Sequence, residues 1–200
     1  FNTASGKASI IGGGSKNDAS GNYSTVVGGF SSKAEGIRSF VGGGMCHCAK
    51  GACSTIGGGG RNHVNDEFGT IAGGFANCNL GQYNTVGGGH TNCVNGMYAT
   101  IAGGTLNKSS QDYTFIGGGT RHCVNGTGGS IAGGYQNCAC GGYSFVGSGV
   151  NNLALSEKSV IVGGLLNKAL GDYSFVGSGN QNFVFRNSNF SSIAGGKNNE

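Results

Sequence analysis

One interval governs this chain. A β-branched residue ahead of a glycine pair returns every fifteen residues, at Ile11, Val26, Val41, Ile56, Ile71, Val86, Ile101, Ile116, Ile131, Val146, Ile161 and Val176. A last copy, Ile193, arrives after seventeen, so the segment 177–192 carries a two-residue insertion. The unit reads S-x-[IV]-[GAV]-G-G-x-x-N-x-[AV]-x-G-x-Y and runs through the whole chain. A repeat this short cannot bury an apolar face by itself. It has to stack on its neighbours, which makes the chain a solenoid.

Composition removes the competing explanations. Glycine supplies 45 of 200 residues, but there is no G-X-Y triplet and no proline, which excludes collagen. Aromatic and β-branched residues are placed periodically, unlike a disordered polar tract. No shift in composition marks a boundary, so residues 1–200 are expected to form a single repeat solenoid. Phe1-Asn2 enters a unit at its Asn position and Gly195-Gly196-Lys197-Asn198-Asn199 leaves as another begins. The chain is therefore expected to be a segment of a longer fibre.

Fifteen residues leave little room for a helix, and short Thr-Val or Ser-Phe-Val runs between glycines favour brief strands and tight turns. The expected fold is all-β, a parallel β-solenoid of about thirteen coils. The repeated Ile/Val points inward, and a column of small residues (Ala19, Ala34, Ala49, Val64, Val94, Val124, Ala139, Ala154, Ala169) faces it. The glycine pair is expected at positive φ or at close backbone approach. The single glycine after Asn (Gly21, Gly81, Gly96, Gly141, Gly171) is expected to mark a second turn. The Asn column (Asn17, Asn62, Asn77, Asn92, Asn107, Asn137, Asn152, Asn167, Asn182) is expected to supply left-handed turns and stacked amide ladders.

A coil of thirty residues competes with one of fifteen, because the residue after Ile/Val alternates Gly with Ala or Val. The alternation slips at Gly42 and Gly57, which are consecutive. A half-coil slip would turn every face of a thirty-residue coil the wrong way, so fifteen is expected. Phe115, Phe145 and Phe175 flank the inward residue and point outward, each two positions from a glycine, whereas Ser130 and Val160 sit beside Ala132 and Val162. Pairing large with minimal suggests conserved volume, hence close packing. These phenylalanines are therefore inter-chain packing candidates, with a parallel homotrimer as the simplest assembly and a dimer as the alternative.

The motif S-x-V-x-G-G-x-x-N-x-A-x-G-x-Y-S resembles the head repeats of trimeric autotransporter adhesins. It is similar also to the GGG-x-x-N-x-x-x-G-x-Y-S repeats of bacterial surface proteins, phage fibres and fibre-like proteins of large algal DNA viruses. The resemblance implies a left-handed trimeric β-roll, a stalk or head displayed on a cell or virion. The chain departs from the adhesin head in its fifteen-residue unit, its doubled glycine and its cysteines.

Five of the eight cysteines follow the Asn column: Cys48, Cys78, Cys93, Cys123 and Cys138. Adjacent strands lie about 4.8 Å apart, within disulfide reach. Coils of fifteen bring Cys78 to Cys93 and Cys123 to Cys138. Coils of thirty pair Cys48 with Cys78 and Cys93 with Cys123. Cys46 or Cys48 can reach Cys53 within a unit, and Cys140 has no evident partner in the chain. Cys46, Cys48 and His63 are weak candidates for a zinc site, since their column is too drawn out to close on one ion.

No nucleophilic triad, paired carboxylate or phosphate-binding GxxxxGK[ST] is recognisable. Neither a catalytic residue nor a cofactor is assigned, and the chain is expected not to be an enzyme. The expected partners are further copies of itself and possible surface polysaccharide or a host receptor, with neither nucleic acid nor membrane insertion in this segment. The expected setting is extracellular, on a cell or virion surface. The net charge of +4 comes from scattered bases. N-x-[ST] acceptors stand at Asn22, Asn107, Asn125 and Asn189. The leading expectation is a structural fibre for attachment. The alternative is an ice- or crystal-binding solenoid, prompted by Thr55, Thr70, Thr85 and Thr100 and weakened by the Phe/Ser alternation that follows.

Overall fold

The computed structural model describes residues 1–200 as an all-β parallel solenoid without a helix. Its strands are two residues each, two to a coil. Contacts divide the chain into two compact units, Phe1–Tyr98 and Ala99–Glu200.

In the first unit the strands Thr3–Ala4, Asp18–Ala19, Lys33–Ala34, Cys48–Ala49, His63–Val64, Cys78–Asn79 and Cys93–Val94 stack as one parallel series. A second series holds Ile10–Ile11, Thr25–Val26, Phe40–Val41, Thr55–Ile56, Thr70–Ile71 and Thr85–Val86. Each residue pairs with the one fifteen further on, as Thr70 does with Thr85. The coil is therefore one repeat, not two. The second unit is built alike, from Thr100–Ile101 and Lys108–Ser109 to Phe183–Val184 and Ser192–Ile193. A third side of the coil is joined by single-residue bridges, Ser15–Phe30–Met45–Gly60–Phe75–His90 in the first unit and Thr105 to Lys197 in the second. The insertion falls between Val184 and Ser192, where Asn187 and Phe190 both take positive φ.

The core is two columns wide. Val26, Val41, Ile56, Ile71, Val86 and their successors through Val176 are fully buried, and so is the facing column from Ala19 to Ala169. A third inward position, five residues beyond the facing column, adjusts to it. Ala19, Ala34, Ala49, Ala139, Ala154 and Ala169 go with Ser24, Ser39, Ser54, Ser144, Ser159 and Ser174, whereas Val64 and Val124 go with Gly69 and Gly129. The reason is contact. A Cβ on Gly69 would stand 2.6 Å from Cγ1 of Val64, and one on Gly129 would stand 2.8 Å from Cγ1 of Val124. Where the facing residue is polar its neighbour is polar too. The Asn79 amide donates to the Asn84 carbonyl (3.0 Å), and Ser109 bonds Thr114. Volume is matched across the interior of most coils, as close packing favours; the exception is Val94, whose counterpart Ala99 carries a Cβ and is also fully buried.

The turns correct one expectation. The Asn column is not left-handed; the residue before each Asn is, among them Lys16, Arg61, Leu106 and Leu166, at φ between 54° and 59°. The single glycine does open the second turn, and the residue two places later takes the left-handed conformation, as at Tyr23, Tyr83 and Tyr143. The glycine pair divides its labour. Its second member, such as Gly59, has φ 94° and would place a Cβ 2.0 Å from the Gly74 carbonyl oxygen. Apart from Gly88 at φ 154°, its first member has a negative φ and room for a side chain, which is why Ser148 and Ser178 are accepted there.

The asparagines tie coil to coil through the backbone. Asn17 Nδ2 donates to the carbonyls of Gly13 (3.1 Å) and Gly29 (2.9 Å), while its Oδ1 accepts the Ser32 N–H at 3.0 Å. The same set recurs at Asn62, Asn137, Asn152 and Asn167. Amide-to-amide bonds are the exception, as from Asn152 to Asn137 at 3.3 Å and Asn199 to Asn182 at 2.9 Å. An unmatched backbone group inside a turn is costly, and the amide reaches three groups, of which the Gly29 carbonyl also accepts the Ser15 N–H.

Candidate functional site

With the interior committed to packing, anything that distinguishes one coil from another lies on its outward columns. Four of these carry chemistry.

The first flanks the inward Ile/Val. Phe115, Phe145 and Phe175 do point outward, with 44%, 38% and 38% of their surface exposed. They alternate along the second unit with Ser130, Val160 and Ser192 in register. The glycine two places on has a reason within the chain itself. A Cβ on Gly117 or Gly147 would stand 2.5 or 2.3 Å from the Ala132 or Val162 carbonyl oxygen of the next coil, and 3.4 Å from Cε1 of Phe115 or Phe145. The outward placement agrees with the expectation from strand alternation.

The second is the cysteine column. Cys78 and Cys93 are register partners, both half-buried, with their thiols in contact. The hydrogen bond to Cys93, then burial, then the partner's charge push the Cys78 thiol up. Cys138 is not bonded to its register partner Cys123 but to Cys140, two residues along the chain. Residues i and i+2 of a strand share a face, so the outward neighbour reached first is Cys140. The Cys123–Cys138 pairing and the unpartnered Cys140 expected from the sequence are both overturned.

Cys48 lies in register with His63, and Cys46 is exposed on the left-handed turn position. The imidazole Nε2 of His63 is bonded to Asn65 Oδ1 at 2.5 Å. Burial pushes the Cys48 thiol up, with Glu35 adding to it. Nowhere do three His, Cys, Asp or Glu side chains converge on one point.

The third column occupies the second left-handed turn position. Phe68, Tyr83 and Tyr98 stack face to face, with ring centroids 4.9 Å apart at each step and planes within 4° and 2° of parallel. In the second unit Tyr173 stacks on Phe190, and the Lys158 ammonium sits 4.7 Å from the Tyr173 centroid while donating to its hydroxyl at 3.0 Å. That hydroxyl, then Glu157, holds the Lys158 ammonium above its ordinary value. Sequence reasoning recorded this tyrosine as part of the repeat and assigned it no role. The available signal was that an aromatic recurring at a fixed place in consecutive coils, as at Phe68, Tyr83 and Tyr98, must meet its own copies one coil away.

The fourth lies on the third side, where a base on one coil meets an aromatic on the next. Lys16 Nζ is 5.3 Å from the Phe30 centroid, Arg61 is 5.6 Å from that of Phe75, and Arg121 donates to the Tyr135 hydroxyl at 3.1 Å. Each pair is offset by fourteen residues, and such contacts are worth about 0.5–1 kcal/mol where exposed.

Two buried histidines interrupt the Asn column. His47 and His122 accept the backbone N–H of Asn62 and Asn137 at Nδ1, at 3.2 and 3.1 Å, in the manner of an asparagine oxygen. Their Nε2 atoms are buried without a hydrogen-bond partner. Burial lowers the pKa of both rings, opposed in part by the neighbouring backbone. Of the N-x-[ST] acceptors, Asn107 is buried with its amide committed to Gly103 and Gly119 and is not available to a glycan. Asn22, Asn125 and Asn189 are exposed.

No known family model matches the chain, and no curated protein matches it either. No helix is long and apolar enough to cross a membrane.

Proposed function

We propose that this chain is a segment of a non-enzymatic structural fibre, displayed on a virion or cell surface and serving attachment or adhesion. One observation carries the reading. Every coil repeats the same strands, turns and backbone bonds, while residue identity varies on the outward columns. Each added coil extends the surface without altering the scaffold, and weak outward contacts repeated along it sum to avidity. Self-association as a parallel homotrimer belongs to the proposal. Its support is the exposed apolar column of Phe115, Phe145 and Phe175. Native mass measurement with electron microscopy tests it: elongated trimers are expected, and replacing the three phenylalanines by Asp should give monomers. A compact monomer from the parent chain refutes it.

The ice-binding alternative draws on Thr55, Thr70 and Thr85, which stand in register on adjacent coils. Phe40 interrupts that face below Thr55. Thermal hysteresis in the parent chain, abolished by Thr70→Lys, would favour it over the fibre.

A further inference from the structure

Beyond the fibre reading, we propose that Tyr83 and Tyr98 form a covalent cross-linking site, joined as dityrosine by a peroxide-driven one-electron oxidant. The two rings are parallel to 2° with centroids 4.9 Å apart, so the two phenols are held in one stack on adjacent coils. Their backbones are held in the same left-handed conformation, φ 59° and 54°, and each N–H is bonded to the preceding coil, at Glu67 (3.2 Å) and Gln82 (3.1 Å). The reacting rings are thus prepositioned, which replaces a chance encounter of two radicals with a first-order event. Both side chains are about half exposed, at 45% and 48%, and open to an oxidant.

The remaining rungs of this column in the first unit do not offer the same chemistry. Phe68 stacks on Tyr83 but has no phenol to oxidise. Tyr23 is followed at the next two coils by Arg38 and Cys53. In the second unit, Tyr173 meets Phe190 and Lys158, neither of them a phenol.

The step balances with hydrogen peroxide as the terminal oxidant and a haem peroxidase as the carrier. Each phenol gives up one electron and its hydroxyl proton to become a phenoxyl radical. The radicals join through a new bond between ortho carbons, and each ring regains aromaticity by moving its ortho hydrogen to oxygen. One peroxide takes the two electrons and two protons and leaves as two waters. The product is a staple between adjacent coils, so peeling one coil from the next would require breaking a carbon–carbon bond.

The test is to treat the full chain, dilute, with a haem peroxidase and limiting hydrogen peroxide, then digest it and map linked peptides by mass spectrometry alongside dityrosine fluorescence. The expected result is a peptide joining residues 83 and 98, short of two hydrogens, with a yield that does not change on dilution. Tyr83→Phe keeps the stacked ring and should lose that peptide entirely. Absence of the 83–98 link, its disappearance on dilution, or coupling of Tyr23 to the same extent as Tyr83 would overturn the proposal.

Discussion

The match between the facing column and the position five residues later makes a quantitative prediction at Val124 and Gly129. Val124→Ala removes two buried carbons, about 1.6 kcal/mol by transfer and about 2 kcal/mol or more with the cavity left behind. Gly129→Ser puts a Cβ 2.8 Å from Val124 Cγ1, an overpacking expected to cost about 1–3 kcal/mol. Made together, the two changes recreate the Ala139/Ser144 arrangement of the adjoining coil. The double variant should lie within about 1 kcal/mol of the parent, a coupling of at least about 2 kcal/mol.

Stability in a solenoid is close to a sum of neighbouring terms, so a global midpoint from urea unfolding dilutes the effect. Exchange of the Cys123 and Ser130 amides, bonded to the Asn137 and Ser144 carbonyls of the next coil, reads local opening directly. Each single variant should accelerate both amides, and the double variant should restore them. If the double variant is destabilised by the sum of its parts, volume matching within the coil is wrong.

Three further outcomes can be measured independently. His47 and His122 have folded-state pKa values below the unfolded value near 6.5. The stability this represents is complete above pH 6.5 and is lost as pH falls from there through the lower folded-state values. Replacing both by Asn, which keeps the acceptor without the basic ring, should flatten urea-unfolding midpoints between pH 7 and 5. Asn167→Ala strands the Asn182 N–H and the Gly163 carbonyl, while the Gly179 carbonyl keeps the Leu165 N–H; with about 1–3 kcal/mol for each unsatisfied group, a loss of at least about 2 kcal/mol is expected in thermal or urea unfolding. In alkylation followed by mass spectrometry, exposed Cys46 should react first, Cys48 and Cys78 slowly because their thiols are pushed up, and Cys138–Cys140 only after reduction. A Cys123–Cys138 linkage instead would reverse the assignment.

Much of the fold was legible because a parallel stack translates each residue by one period. Once fifteen was measured, Ile56 had to lie beside Ile71, Cys78 beside Cys93 and Thr70 beside Thr85. The inward columns followed from strand alternation, and the slip at Gly42 and Gly57 was enough to reject the longer coil. The relation of Val64 to Gly69 and Val124 to Gly129 was equally present in the residues. It was overlooked because it runs across the coil at an offset of five, which no periodicity along the chain reveals.

What the period could not reach was the path of the chain between its strands. Sequence preference pointed to Asn for the left-handed turn, yet the turn uses Lys16, Arg61 or Leu106 there. The asparagine amide reaches three backbone groups, and does so from the position just after the turn. The choice of Cys140 over Cys123 by Cys138 was decided the same way. Periodicity determines which residues share a column; only the three-dimensional course of the turns decides which neighbour, along the coil or across to the next, each side chain meets first.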